Sequence, residues 1–125
     1  MYMRIYARIG KNRLLSIFLS RKEYGMCEKQ IEQKLVKEVR KCGGICPKFT
    51  SPGFAGMPDR LLLLPHGRMA FAELKAPGRR PRPLQEARHK LLARLGFRVY
   101  VIDSPEQIGK IMAEMGGKQN EVRTT

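Results

Sequence analysis

From Glu28 onward, apolar residues recur at helical spacing. Ile31, Leu35, Val36 and Val39 are separated by Lys, Glu, Gln and Arg, which predicts an amphipathic helix. Arg40 and Lys41 suit its last turn, where cations complement the helix dipole, and Gly43-Gly44 ends it. Ile45 to Thr50 reads as a short strand, and Ser51-Pro52-Gly53 opens a loop of small residues that runs to Gly56. Arg60 to Leu64 is a near-continuous apolar run, as in a buried central strand. Pro65-His66-Gly67-Arg68 is turn chemistry and Met69 to Leu74 a second strand, so the two predict a β-hairpin. After a Gly/Pro/Arg loop from Ala76 to Pro83 comes a second helix, Leu84 to Leu95. Its expected inner face is Leu84, Ala87, Leu91, Leu92 and Leu95, and Gly96 stops it. Phe97 to Ile102 alternates as a fourth strand. Ser104 is expected to cap a third helix with Pro105 at its first position. The order α-β-β-β-α-β-α predicts an α/β domain with a mixed central sheet.

The chain has 125 residues, enough for one domain, and its 42% hydrophobic content sustains a modest core. The expected domain spans 26–115, followed by a frayed tail at 116–125. Residues 1–25 are set aside as an N-terminal extension whose translation is open, with no function placed in it. Met26 offers an alternative start, and Arg21-Lys22-Glu23 could be encoded by a purine-rich ribosome-binding sequence just upstream of it. The apolar segment Leu14 to Leu19 is too short for a signal peptide, and no run of about 18 apolar residues predicts a membrane-spanning helix.

Charge narrows the function. Against 11 Asp+Glu stand 25 Lys+Arg, a net charge of +14, which favours a polyanionic partner: nucleic acid first, an anionic membrane second. A basic ribosome-associated protein is the plain alternative. Cys27, Cys42 and Cys46 are odd in number and lack a secretory signal, which argues for a reducing, cytoplasmic compartment. With only His66 and His89 besides, no second ligand pair stands at zinc-site spacing, and both histidines read as structural or solvent-exposed.

The stretch GMPDRLLLLPHGRMAFAELKAPGRRPRPLQ, from Gly56 to Gln85, carries the candidate chemistry. Residues two apart in a strand share a face, so Glu73 and Lys75 project together while Leu74 turns into the core. Pairing the strands through the turn brings Asp59 opposite the region of Glu73. Two carboxylates at close range repel, and a divalent cation with oxygen preference, Mg²⁺ or Mn²⁺, is the usual remedy. Lys75 could then orient a water or stabilise charge on a phosphate. The alternative is a surface Glu73–Lys75 ion pair beside an unrelated Asp59. An isolated ExK would favour it, but an ExK ending a buried strand, paired with PD and opening into an Arg-rich loop, does not.

PD followed by ExK, with Glu73 standing 14 residues after Asp59, resembles the PD-(D/E)xK nuclease superfamily with its restriction-endonuclease-like core. GMPDR, AELKAPG, the PLQ opening the next helix and the strand GFRVYVIDS resemble one branch, the VRR-NUC domain family, across roughly Glu28 to Ile111. The resemblance implies a divalent-metal-dependent DNA endonuclease. Asp59 and Glu73 match its metal ligands, the Leu74 backbone carbonyl a third, and Lys75 the catalytic lysine. Gln85 matches a glutamine that reaches back to the site; otherwise it is a solvent-facing helix residue. A first-helix glutamate is also implied, Glu32 in preference to Glu28. Stand-alone members resemble phage or prophage proteins acting on branched DNA such as four-way junctions or flaps. That implies a homodimer in the cytoplasm of a bacterium or phage-infected host, with any helicase or replication partner unspecified. Arg79, Arg80 and Arg82 follow the catalytic strand and are the leading phosphate contacts, with Lys48, Arg60 and Arg88 behind them. Few exposed aromatics interleave with these charges, so single-strand stacking is not indicated. A non-catalytic nucleic-acid-binding module on the same fold is the competing function.

Overall fold

The computed structural model describes residues 2–9, 13–20 and 27–116. Near the N-terminus, β1 (Tyr2–Ile9) pairs antiparallel with β2 (Arg13–Ser20), from Tyr2 opposite Ser20 to Ile9 opposite Arg13. The sequence reading assigned no element there. The expected tail lies, from residue 117 on, outside the described residues.

The first helix, α1 (Glu28–Lys41), buries Ile31, Leu35 and Val39, one face at four-residue spacing. Its start is closed by Gln30, whose Oε1 accepts the Cys27 N–H at 2.9 Å. Its end is a Schellman turn: the Gly43 N–H donates to Arg40, the Gly44 N–H to Val39, and Gly43 takes φ +87°. Gly44 is required for a different reason. A Cβ there would lie 2.2 Å from the Leu63 carbonyl oxygen, so only glycine lets the chain run this close to the sheet.

That sheet orders β3 (Arg60–Leu64), β4 (Arg68–Leu74) and β5 (Val99–Ile102). β3 and β4 form the expected hairpin, with Arg60 opposite Ala72 and Leu64 opposite Arg68. β4 and β5 run parallel, joined through α2 (Pro83–Arg94). A last helix, α3 (Glu106–Glu114), follows. Alternation splits β4 between two layers. Ala70, Ala72 and Leu74 join Leu62, Leu64 and Ile102 against Ile31, Leu35 and Val39 of α1 and Ile108, Ile111 and Met112 of α3. The alanines in the central strand leave room for both helices, and each large side chain buried here contributes about 1.5–3 kcal/mol. Phe71 and Glu73 point the other way, toward α2. Phe71 is packed edge-on by Phe49 and Phe97, each with ring centroids 5.9 Å away.

Three sequence expectations change. Ile45–Thr50 is not a strand: it makes two isolated bridges, Ile45 with Leu63 and Lys48 with Arg60. Leu61 donates to the Pro47 carbonyl at 3.0 Å, but Pro47 has no N–H to return, and the ladder breaks there. The inner face of α2 is rotated. Leu84 and Leu95 are 46% and 64% exposed, whereas Gln85 and Leu92 are buried and His89 half-buried. The helix packs on the polar end of the sheet, so a polar residue turns inward. Finally, Ser104 does not cap α3 with its side chain; Gln107 Oε1 accepts the N–H groups of Asp103 and Ser104 at 2.8 and 3.0 Å.

Candidate active site

The β3–β4 register, continued one residue past Arg60–Ala72, sets Asp59 opposite Glu73. Continued two residues, it sets Pro58 opposite Leu74. Pro58 has no N–H for the Leu74 carbonyl, and the Leu74 N–H is taken by Asp59 Oδ1 at 3.4 Å. The end of the hairpin thus gathers two carboxylates and a backbone carbonyl that the opposite strand does not cap.

Glu73 is only 4% exposed. Its Oε2 accepts from Gln85 Nε2 at 3.0 Å and lies 3.5 Å from Lys75 Nζ. Its Oε1 is buried and has no hydrogen-bond partner. Burial first, and then the neighbouring charge of Asp59, pushes the Glu73 carboxyl above the ordinary carboxylate range, against the pull of Lys75 and Gln85. Asp59 is raised too, chiefly by burial, while the Leu74 N–H and the Arg60 charge act to lower it. A buried carboxylate oxygen left unpaired beside a second carboxylate is costly for a folded chain.

Gln85 ties the centre together. It is 7% exposed, and its Oε1 accepts from both Lys75 Nζ at 3.0 Å and the Arg82 N–H at 2.8 Å. One side chain therefore closes the N-terminus of α2, holds the Lys75 amine and donates to Glu73. Its amide orientation follows, since only the oxygen can accept from Lys75 and the helix N–H. One turn along α2 is His89, a residue the sequence reading left without a role at the site. Its Nε2 is buried without a partner, and burial, followed by the Lys75 charge, lowers its pKa. Its spacing of four from Gln85 was the available signal.

The two helix glutamates part company. Glu28 lines a recess of about 280 Å³ with Lys75, Ala76, Arg79, Arg80 and Arg82. Glu32 forms an ion pair with Arg60, and its charge acts on Asp59. Arg60, expected to contact phosphate, is 8% exposed and committed to Glu32 and to the Cys46 carbonyl. It is therefore a buried strut rather than a surface cation. Arg88 lies over the Phe54 ring, 3.9 Å from its centroid, and donates to the Ala55 carbonyl at 2.8 Å. Arg79 and Arg80 stand in the exposed loop after β4, and Arg82 directly precedes α2. None of the three cysteines forms a disulfide.

No group of three His, Cys, Asp or Glu side chains gathers at metal-binding range among the described residues. The donor set is instead two carboxylates, one with an unpartnered oxygen, and one carbonyl. That set fits a hard cation such as Mg²⁺, which is held by one or two carboxylates and otherwise keeps its waters.

No family model matches the chain. A relative named "Putative nuclease p44", from Acyrthosiphon pisum secondary endosymbiont phage 1, is 53% identical over 79 residues, covering 63% of this chain and 85% of the relative. A solved structure described as a VRR_NUC domain superposes with a TM-score of 0.65 at 29% identity, covering 69% of this chain and 94% of that one. With the mixed sheet and its three helices in common with that domain and over half its residues shared with the phage protein across the match, this chain belongs to the VRR-NUC family, in its phage form.

Proposed function

We propose that this protein is a divalent-metal-dependent DNA endonuclease that hydrolyses phosphodiester bonds in branched DNA, such as four-way junctions or flaps. The observation that carries the reading is the unpartnered, buried Oε1 of Glu73 beside Asp59. Folding alone gives no reason to keep it, whereas Asp59, Glu73 and the Leu74 carbonyl together would hold Mg²⁺ or Mn²⁺. When bound, that cation supplies positive charge to the scissile phosphate and favours ionisation of the attacking water. Lys75, held at 3.0 Å by Gln85, orients the water and offsets charge building on the phosphate. Gln85 acts through Lys75 and Glu73 as a positioning residue. Arg79, Arg80 and Arg82 hold the backbone beside the cut. Glu32, fixed by Arg60, adds negative charge at the edge of the site. A homodimer would place two such centres on a symmetric junction. The exposed apolar residues Leu84, Leu95 and Phe97 on the α2 side give it a surface to use.

The test is cleavage of labelled four-way junction, flap and linear duplex DNA with Mg²⁺, Mn²⁺ or EDTA, beside Lys75→Ala. Cutting of the branched substrates that requires metal and vanishes in Lys75→Ala is expected. Binding without cutting under either metal would replace this reading with a non-catalytic module.

A further inference from the structure

Between α1 and the segment that bridges to β3 runs a groove of about 690 Å³, lined by Glu32, Val36, Lys37, Arg40, Lys48 and Arg60 among others. Glu32 and Arg60, which form an ion pair, both line it, and Arg60 directly follows Asp59 in the chain, so the groove opens from the edge of the catalytic centre. Its walls are cationic. Lys37 and Arg40 lie on α1 three residues apart, hence on one face, and Lys48 faces them from the bridge to Arg60. All three are exposed, and no acidic side chain forms an ion pair with any of them among the described residues. Lys41, at the far end, is partnered by Glu38 at 3.4 Å.

We propose that this groove is a second track for the DNA backbone, leading away from the catalytic centre on the side opposite the Arg79–Arg82 loop. The inference rests on the nuclease reading above. Charge complementarity names the occupant: three cations on the two sides of one groove, without an ion-pair partner among the described residues, suit a row of phosphates, and the apolar stems of Lys37 and Arg40 with Val36 suit sugar edges. Length follows from helix geometry. Glu32 and Arg40 are eight residues apart, about 12 Å at 1.5 Å per residue. For a duplex whose axis lies along the groove, at about 3.4 Å of helix axis per phosphate of one strand, that is about four nucleotides. The site therefore requires about four nucleotides of backbone on one particular side of the scissile phosphate.

Binding is measured in EDTA, where nothing is cut, for the wild type, for a K37Q/R40Q/K48Q variant that keeps much of each side chain's length, and for a K90Q/R94Q/K110Q control. The control removes as many exposed charges from elsewhere on the surface. The groove variant should lower the magnitude of the slope of log K against log salt by about 2.7, at about 0.9 per lost phosphate contact on duplex DNA. The control should lower it by less than about one. In a series of substrates trimmed from either end, wild-type affinity should drop when one arm falls below about four nucleotides, and the groove variant should not register that trimming. Equal slopes for groove variant and control, or a trimming response unchanged by the groove substitutions, would overturn the proposal. Parallel cleavage with Mg²⁺ separates the two readings: a wild type that cuts, with a groove variant that binds normally, sinks only the track. A wild type that never cuts sinks the nuclease. Matching melting temperatures for all three proteins exclude misfolding as the cause of any loss.

Discussion

Glu73→Gln should stabilise the metal-free protein while abolishing its activity. Glu73 is 4% exposed, with one oxygen served by Gln85 and Lys75 and the other served by nothing. Leaving a buried polar atom unsatisfied costs about 1–3 kcal/mol, more when charged. Glutamine still leaves one amide atom without a partner, but it keeps the shape, removes the buried charge, which is the costlier part, and ends the repulsion from Asp59. It also forfeits the charge assistance of Lys75 and Gln85, on the order of 1 kcal/mol. The net gain should be about 1 kcal/mol at neutral pH, or a rise in melting temperature of about 4 °C for a domain of this size. The effect has a definite pH dependence. The folded-state pKa of Glu73 is raised above its ordinary 4.5, so the folded chain holds the proton more tightly than the unfolded chain. Wild-type stability is therefore greatest below that ordinary value and declines as pH rises from it through the folded pKa. Asp59, raised in the same direction, adds to the decline. The gap between variant and wild type should close near pH 4 and open toward neutrality. Thermal melts in EDTA across pH 4 to 8 read this directly. Adding Mg²⁺ should reverse the order: at a hundredfold excess over Kd it stabilises the wild type by about 2.7 kcal/mol and the variant far less. If Glu73→Gln melts below the wild type at pH 7 in EDTA, Glu73 carries no folding cost, and its spare oxygen is not one kept for a cation.

Gln85→Ala removes three hydrogen bonds at once and should destabilise the protein by about 2–4 kcal/mol. It should also cut the cleavage rate through loss of Lys75 positioning, whereas Gln85→Glu should hold the helix start but not the rate; single-turnover cleavage beside melts separates the effects. Gly44→Ala should cost more than about 2 kcal/mol, because its Cβ would meet the Leu63 carbonyl at 2.2 Å and that oxygen belongs to the sheet; a melting temperature within about 2 °C of wild type would contradict it. Cys46 is buried and its thiol is pushed up, burial being the largest cause, so it should resist iodoacetamide at pH 8 until the protein unfolds, as peptide mapping after timed alkylation would report.

Much of this protein was written locally. The 31/35/39 spacing, the hairpin around Pro65–Gly67, and the two-residue period joining Glu73 to Lys75 are short-range signals, and the fold honours them because each element has one apolar face to bury. The candidate site was legible for the same reason: the hairpin register alone carries Asp59 to Glu73. The failures are equally specific. Ile45–Thr50 has strand composition, but one missing N–H at Pro47 reduces it to two bridges. Leu84 and Leu95 at the two ends of α2 announce an inner face that the structure turns outward, while Leu92 stays buried, because the helix brings Gln85 inward to Glu73 and Lys75. The paired strands Tyr2–Ile9 and Arg13–Ser20 lay in a stretch read for targeting signals and for an alternative start. The burial of Arg60 and its capture of Glu32 carry no mark in the sequence at all, since a pair 28 residues apart meets only when α1 packs on β3. Periodicity and turn chemistry act within a few residues and can be read from the chain. Which charge is buried, which is left to solvent and which carboxylate stays unpaired depends on how the layers close over one another, and only the tertiary structure decides that.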